Sequence, residues 1–169
     1  MEALEAILSR RSIRRYTAGA ISEKTVTELL AAAMSAPSAG NQQPWQFVVV
    51  RDRQLIDQIP DIHPYATMLR EAALAILVCG DLDLEKHAGY WVQDCSAATQ
   101  NLLLAAHASG LGAVWCGVHP REDRVVGLRK LLGLPEHIVP MALISIGQPA
   151  ESKPPSHRYD PARVHYDGW

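Results

Sequence analysis

The sequence predicts a single domain that mixes helices with buried strands. Three observations lead there. The chain has 169 residues, a length that one domain with a sizeable core accommodates. Its composition, 48% hydrophobic and 20% charged with a mean hydropathy of −0.04, is that of an ordinary globular protein. Segments of helical period alternate with short β-branched or continuous apolar runs along its whole length.

Leu4, Ile7 and Leu8 repeat at helical spacing, so residues 2–9 read as a short helix. Ser22 is placed to cap a second helix whose apolar positions are Val26, Leu29, Leu30 and Ala33, and Pro37 ends it. A polar Pro/Gly/Asn loop follows over 35–44, then the β-branched run 45–51, a strand. Residues 53–70 read as short helical pieces broken by Pro60 and Pro64. The continuous apolar run 72–79 is a buried strand, and 88–109 is the longest helix. That helix is apolar on nearly every side between Cys95 and Ala108, which predicts burial all round. Residues 113–118 form a short strand, 121–132 a helix and 140–146 a last strand ended by Gly147 and Pro149. The tail 150–169 is polar and proline-rich and carries Tyr159, Tyr166 and Trp169. The all-round apolar helix and the aromatic tail together predict a protomer completed by a second copy.

A net charge of −2 and a pI near 6.4 argue against a general nucleic-acid or membrane-surface protein. The longest apolar run, 102–108, is too short to span a bilayer. No signal peptide is evident, and Cys79, Cys95 and Cys116 lack zinc-type spacing, so a reducing, cytoplasmic location is expected.

Against this even background, Arg10, Arg11, Arg14 and Arg15 hold a quarter of the 16 basic residues. Arginines after a helix C-terminus interact well with its dipole. Guanidinium groups also bind phosphate in bidentate fashion, and Ser12 adds a hydroxyl donor. No RNA-binding motif accompanies the run. The 37–45 loop sets Ser38, Asn41, Gln42 and Gln43 beside Trp45. It serves either as a helix-to-strand turn or as a hydrogen-bonding surface for a planar ligand. The 110–118 segment is a tight turn into a strand, or a close backbone approach to a ligand at Gly117. Arg158 is an isolated cation in the tail. There is no GxGxxG, no GxxxxGK[ST] and no HExxH, and the seven histidines are scattered, so no classical dinucleotide, P-loop or metal site is expected. Cys116 has no general base nearby in the sequence and reads as a packed thiol.

In order and spacing these pieces resemble the nitroreductase family of FMN-dependent oxidoreductases. The matching stretches are Arg-Arg-Ser-Ile-Arg (10–14), Ala-Pro-Ser-Ala-Gly-Asn-Gln-Gln-Pro-Trp (36–45), Gly-Leu-Gly-Ala-Val-Trp (110–115), Ile-Gly-Gln-Pro (146–149) and His-Arg-Tyr-Asp-Pro with a terminal His-Tyr-Asp-Gly-Trp. The resemblance covers essentially the whole chain. It implies one α+β domain over 1–169: a mixed sheet surrounded by helices, in an intertwined homodimer whose C-terminal tails embrace the partner.

The resemblance also implies FMN at the dimer interface, NAD(P)H as reductant, and a nitroaromatic, quinone or related small molecule as acceptor, served in turn through flavin N5. Arg10, Ser12 and Arg158 would hold the phosphate, with Arg11 nearby. Arg14 would sit at the N1/C2 carbonyl edge, where a guanidinium opposes the charge of the reduced ring. Ser38, Asn41 and Gln43, with the backbone of Pro37 and Ala39, would contact the ring from the other subunit. Backbone amides of Trp115, Cys116 and Gly117 would face N5. No side chain acts as a catalytic acid or base, because the cofactor carries the chemistry. Relatives often place further polar groups in the segment matching 64–69, where Thr67 is the candidate here, and a second cation where this chain has Ser156. A small lid is expected within 60–70 or 84–95. Reductive dehalogenation, fragmentation of the flavin, and non-catalytic flavin binding remain alternatives on the same scaffold.

Overall fold

The computed structural model describes residues 1–169. Its elements run in chain order as α1 (Ala3–Ser9), β1 (Tyr16–Thr17), α2 (Glu23–Met34), β2 (Trp45–Val50), α3 (Arg53–Ile62), β3 (Leu74–Asp81), α4 (Trp91–Ala108), β4 (Gly112–Gly117), α5 (Glu122–Leu132) and β5 (Ile138–Pro149). Short 3-10 turns at Ala39–Asn41, Pro64–Arg70, Leu82–Leu84 and Pro161–Arg163 fill the connections.

The sheet runs β2-β3-β5-β4, and β1 pairs the far end of β5. Every strand pair is antiparallel, and the parallel component is a single bridge between Ser12 and Ala113. All eight residues of β3 are buried, because helices cover both faces of the sheet. The strand alternates accordingly. Leu74, Ile76 and Val78 join Leu29 of α2 and Ala98 and Leu102 of α4 on one face. Ala75, Leu77 and Cys79 join Ile56 and Ile59 of α3 and Val125 and Leu128 of α5 on the other. Truncating a fully buried leucine in such a core, Leu77 for example, typically costs about 2–5 kcal/mol.

Local signals behave as chemistry dictates. The Ser22 hydroxyl accepts from the Thr25 amide at 3.1 Å and caps α2. Asp52 caps α3 through the Gln54 amide at 2.8 Å.

Three expectations need correction. Pro60 does not break α3, which continues to Ile62; the break comes at Pro64. The last strand does not stop at Gly147, because Gln148 and Pro149 pair with Thr17 and Tyr16, a two-residue strand too short to announce itself in the sequence. And α4 is not buried all round in one chain: Cys95, Ala98, Leu102 and Ala106 are buried, whereas Ala97, Leu104 and Ala105 are half-buried. No helix is long and apolar enough to cross a membrane.

Beyond Lys153 the tail holds no regular element apart from the turn at Pro161–Arg163, and Tyr159, Tyr166 and Trp169 lie in solvent. Leu4, Ile7 and Leu8 of α1 are exposed as well.

Candidate functional site

The arginine run is docked on the edge of the sheet. Leaving α1 in extended conformation at Arg10, the chain bonds β4 through the Ile13 amide and the Ala113 carbonyl at 3.0 Å. Gly112 permits this approach: a Cβ there would meet Ile13 Cγ2 at 2.7 Å. The buried Tyr16 hydroxyl, shared between the carbonyls of Ile13 (2.8 Å) and Ser145 (3.2 Å), fixes the far end. Burial raises its pKa well above the ordinary phenol value, so it remains a donor. Chain leaving β5 closes the other side. Glu151 accepts from the Arg14 amide at 2.6 Å, and Lys153 Nζ donates to the Ser12 carbonyl at 2.8 Å.

The result is a cleft of about 240 Å³ lined by Arg10, Arg11, Ser12, Arg14, Lys153 and Arg158, with no apolar residue. Tail residue 158 and the run at 10–14 thus meet within one chain. None of the four arginines forms an ion pair; Lys153 alone is matched, to Glu151 at 3.1 Å. Arg10 Nε, Arg11 Nε and Arg11 Nη1 are buried without any acceptor. Burial, then repulsion from Arg158 and Arg11, lowers the pKa of Arg10. Buried donors without partners and mutually repelling cations are what an anion site presents before its anion arrives. Arg15 stands outside this cleft.

Arg14 also lines a second cleft of about 470 Å³, so its side chain borders both. Its walls include Val114, Trp115, Cys116 and Gly117 of β4, His63 to Met68 in part, and Arg124 of α5. Past Ala113 the outer edge of β4 has no strand partner, and a Cβ on Gly117 would meet nothing within 4 Å. A flat group could therefore lie against this backbone. Thr67 lines the same cleft. The Cys116 thiol is pushed up to about 11, chiefly by burial, and is a packed group there.

The 37–43 loop is elsewhere. Pro37, Ser38, Ala39, Asn41 and Gln43 line neither cleft. Two of their hydrogen bonds stay within the loop on its exposed side: Ser38 Oγ accepts from the Gln43 amide at 3.0 Å, and Asn41 Oδ1 from Gln43 Nε2 at 2.8 Å. Gln42 is buried and structural. Its Nε2 donates to Asp94 at 2.6 Å, and its carbonyl oxygen accepts from the Lys86 and His87 amides at 2.8 and 3.0 Å. Asp94 of α4 also accepts from the Ala39 amide at 2.9 Å, anchoring the loop. Three residues of the loop, Gly40, Asn41 and Gln43, adopt positive φ.

Sequence reasoning missed Lys153, which joins Arg158 as the second cation that the tail brings to the cleft, in place of Ser156. It also missed His63, Tyr65 and Arg124 in the wide cleft, whose positions depend on tertiary packing. Asp94 carried a signal: an acidic residue within an apolar helix has to be paired.

Comparison with known proteins identifies the family. The family model described as Nitroreductase family matches residues 7–63 and 62–148. A Methanothermobacter thermautotrophicus protein named "Putative NADH dehydrogenase/NAD(P)H nitroreductase" is 51% identical over 100% of this chain and 88% of its own length. A crystal structure of a Bacteroides thetaiotaomicron protein of the same name superposes with a TM-score of 0.95 at 44% identity, covering 99% of this chain and 98% of that one. A Desulfovibrio desulfuricans protein solved as a "putative nitroreductase in complex with FMN" is 36% identical, with a TM-score of 0.86 over 98% of this chain and 96% of that one. This chain belongs to the nitroreductase family.

Proposed function

We propose that the protein is an FMN-dependent oxidoreductase that uses NAD(P)H to reduce nitroaromatic, quinone or related acceptors. The observation that carries this reading is the pair of clefts that Arg14 borders: unpaired arginines with buried free donors line one, and a bare strand edge lines the other. FMN has the matching form, a phosphate dianion tethered to a flat ring. Arg10, Ser12, Lys153 and Arg158, with Arg11 beside them, would hold the phosphate. The backbone of Trp115–Gly117 would border the ring.

When bound, FMN supplies the redox chemistry, taking a hydride from the nicotinamide and passing electrons to the acceptor. The chain binds and tunes. Arg14 keeps a fixed positive charge beside both clefts, where it favours negative charge on an adjacent ring. The wide cleft opens beside that position, and reductant and acceptor would take turns in it. Parallel lines in initial-rate plots are the expected kinetic pattern. The Pro64–Arg70 turn borders the opening and is the candidate lid.

The reading includes a homodimer. The 37–43 loop lies off its own cleft, so Ser38, Asn41 and Gln43 would contact flavin across an interface with a second copy. The exposed face of α1, the half-buried side of α4 and the aromatic tail supply apolar surface for that interface. A monomeric mass by light scattering at low micromolar concentration would overturn this part. The cofactor is tested by purifying the protein and recording the flavin band near ~450 nm. Colourless protein that takes up no added FMN would overturn the reading as a whole.

A further inference from the structure

In the wide cleft stands a second fixed cation, which the proposed cofactor contacts leave unused. Arg124 Nη1 donates to the Gly117 carbonyl at 2.8 Å and lies 3.4 Å from His63 Nε2. Its guanidinium carbon is 5.6 Å from the centre of the Tyr65 ring. It forms no ion pair, since the neighbouring Asp123 is matched to Arg121 at 3.5 Å. No aspartate or glutamate lines this cleft at all. His63 is buried, and burial together with Arg124 lowers its pKa, so the positive charge of the pair resides on Arg124.

A guanidinium held by a carbonyl and an aromatic face loses little freedom on binding a further partner. Its unused edge is suited to a planar, two-oxygen anion. Beside it the Tyr65 ring and Met68 offer an apolar surface for an aromatic body. Arg14, which lines the same opening, also lines the phosphate cleft.

We propose that Arg124 selects the electron acceptor, seating a carboxylate carried on an aromatic substrate whose ring lies beside Tyr65. The inference rests on the FMN oxidoreductase reading. It narrows the substrate class from nitroaromatics and quinones in general to anionic members of those classes.

The test uses FMN-loaded protein, wild type and Arg124→Gln, with flavin content and melting temperature recorded on the same samples. Calorimetric binding of benzoate is compared with that of benzamide, and KM for nitrobenzoate with that for nitrobenzamide. In the wild type benzoate binds about tenfold tighter than benzamide, the scale of one partly exposed charge-assisted pair. Arg124→Gln removes that preference and raises KM for nitrobenzoate about tenfold more than it raises KM for nitrobenzamide. Arg124→Lys restores part of it.

Equal losses for charged and neutral ligands would make Arg124 a structural residue and overturn the inference. A rise confined to KM for NADPH, absent with NADH, would assign the charge to the reductant's 2′-phosphate and overturn it as stated. Protein that binds flavin yet shows no carboxylate preference overturns this inference alone. Protein that takes up no flavin overturns the cofactor reading and this inference with it.

Discussion

The arginine run and the 37–43 loop look alike as sequence, since each is a short stretch crowded with hydrogen-bonding side chains. In the folded chain they are opposites. The loop satisfies itself: Ser38, Asn41 and Gln42 all have protein partners, and Asp94 locks two of its groups. The run is left unsatisfied, with three buried guanidinium nitrogens lacking acceptors and no carboxylate paired to any of its arginines. A polar cluster with its bonds made holds its own shape, and one with buried donors unmade has capacity left for a ligand. The difference originates in position. The loop lies over a buried acid on α4, whereas the run is braced at the sheet edge, mainly through its backbone.

That contrast can be broken most forcefully at Gly112. Its replacement by valine sets a side chain where Ile13 now lies, forcing the run off β4. The expected cost is about 1–3 kcal/mol of stability from overpacking. Loss of FMN binding should accompany it. Denaturant melts and flavin titration measure the two, and retained flavin affinity would show that docking on β4 is dispensable.

Arg10→Ala tests the receptor side directly. Removing one charged donor should weaken FMN roughly 10- to 100-fold, with little change in melting temperature or even a gain, because the cations repel. Asp94→Ala is its counterpart on the architectural side. It strands the Gln42 amide and the Ala39 N–H, for an expected loss of about 1–3 kcal/mol. Inorganic phosphate binding, read by calorimetry, should not change. If Asp94→Ala abolished phosphate binding, the two regions would not be separable.

The smallest effect concerns two thiols. Cys95, next to Asp94, is pushed up to about 12 by burial first, then by Cys79 and Asp94. Cys116 reaches about 11: burial raises it, and Arg14 and Arg124 pull it back. As pH rises from 8, alkylation followed by peptide mapping should find Cys116 modified before Cys95. The sign for stability follows. Both folded values exceed the ordinary value of 9.0, so these thiols favour folding fully below pH 9 and lose that contribution as pH climbs through about 11 to 12.

Much of the molecule was legible in advance. The helices at 23–34 and 122–132 and the strands at 45–50, 74–81 and 112–117 follow hydrophobic period, which depends on neighbours along the chain. The concentration of positive charge at Arg10–Arg15 was legible too, because four arginines in six residues stand out from a chain of net charge −2. Strand β1 was not, since two residues carry no period. The outward face of α4 was not either, because apolar composition does not say which side another element will cover.

By itself, then, the sequence determined the elements, the cationic run and the kinship of the chain, all of which reside in local pattern or ordered motifs. Tertiary structure alone decided which polar groups remain free. It brought Arg158 and Lys153 to Arg10 across more than a hundred residues and held Arg124 against Gly117 and Tyr65. It also turned the amides of the 37–43 loop inward onto Asp94. The reason is physical: a side chain's hydrogen-bonding capacity is intrinsic, but whether that capacity is met depends on neighbours distant in sequence.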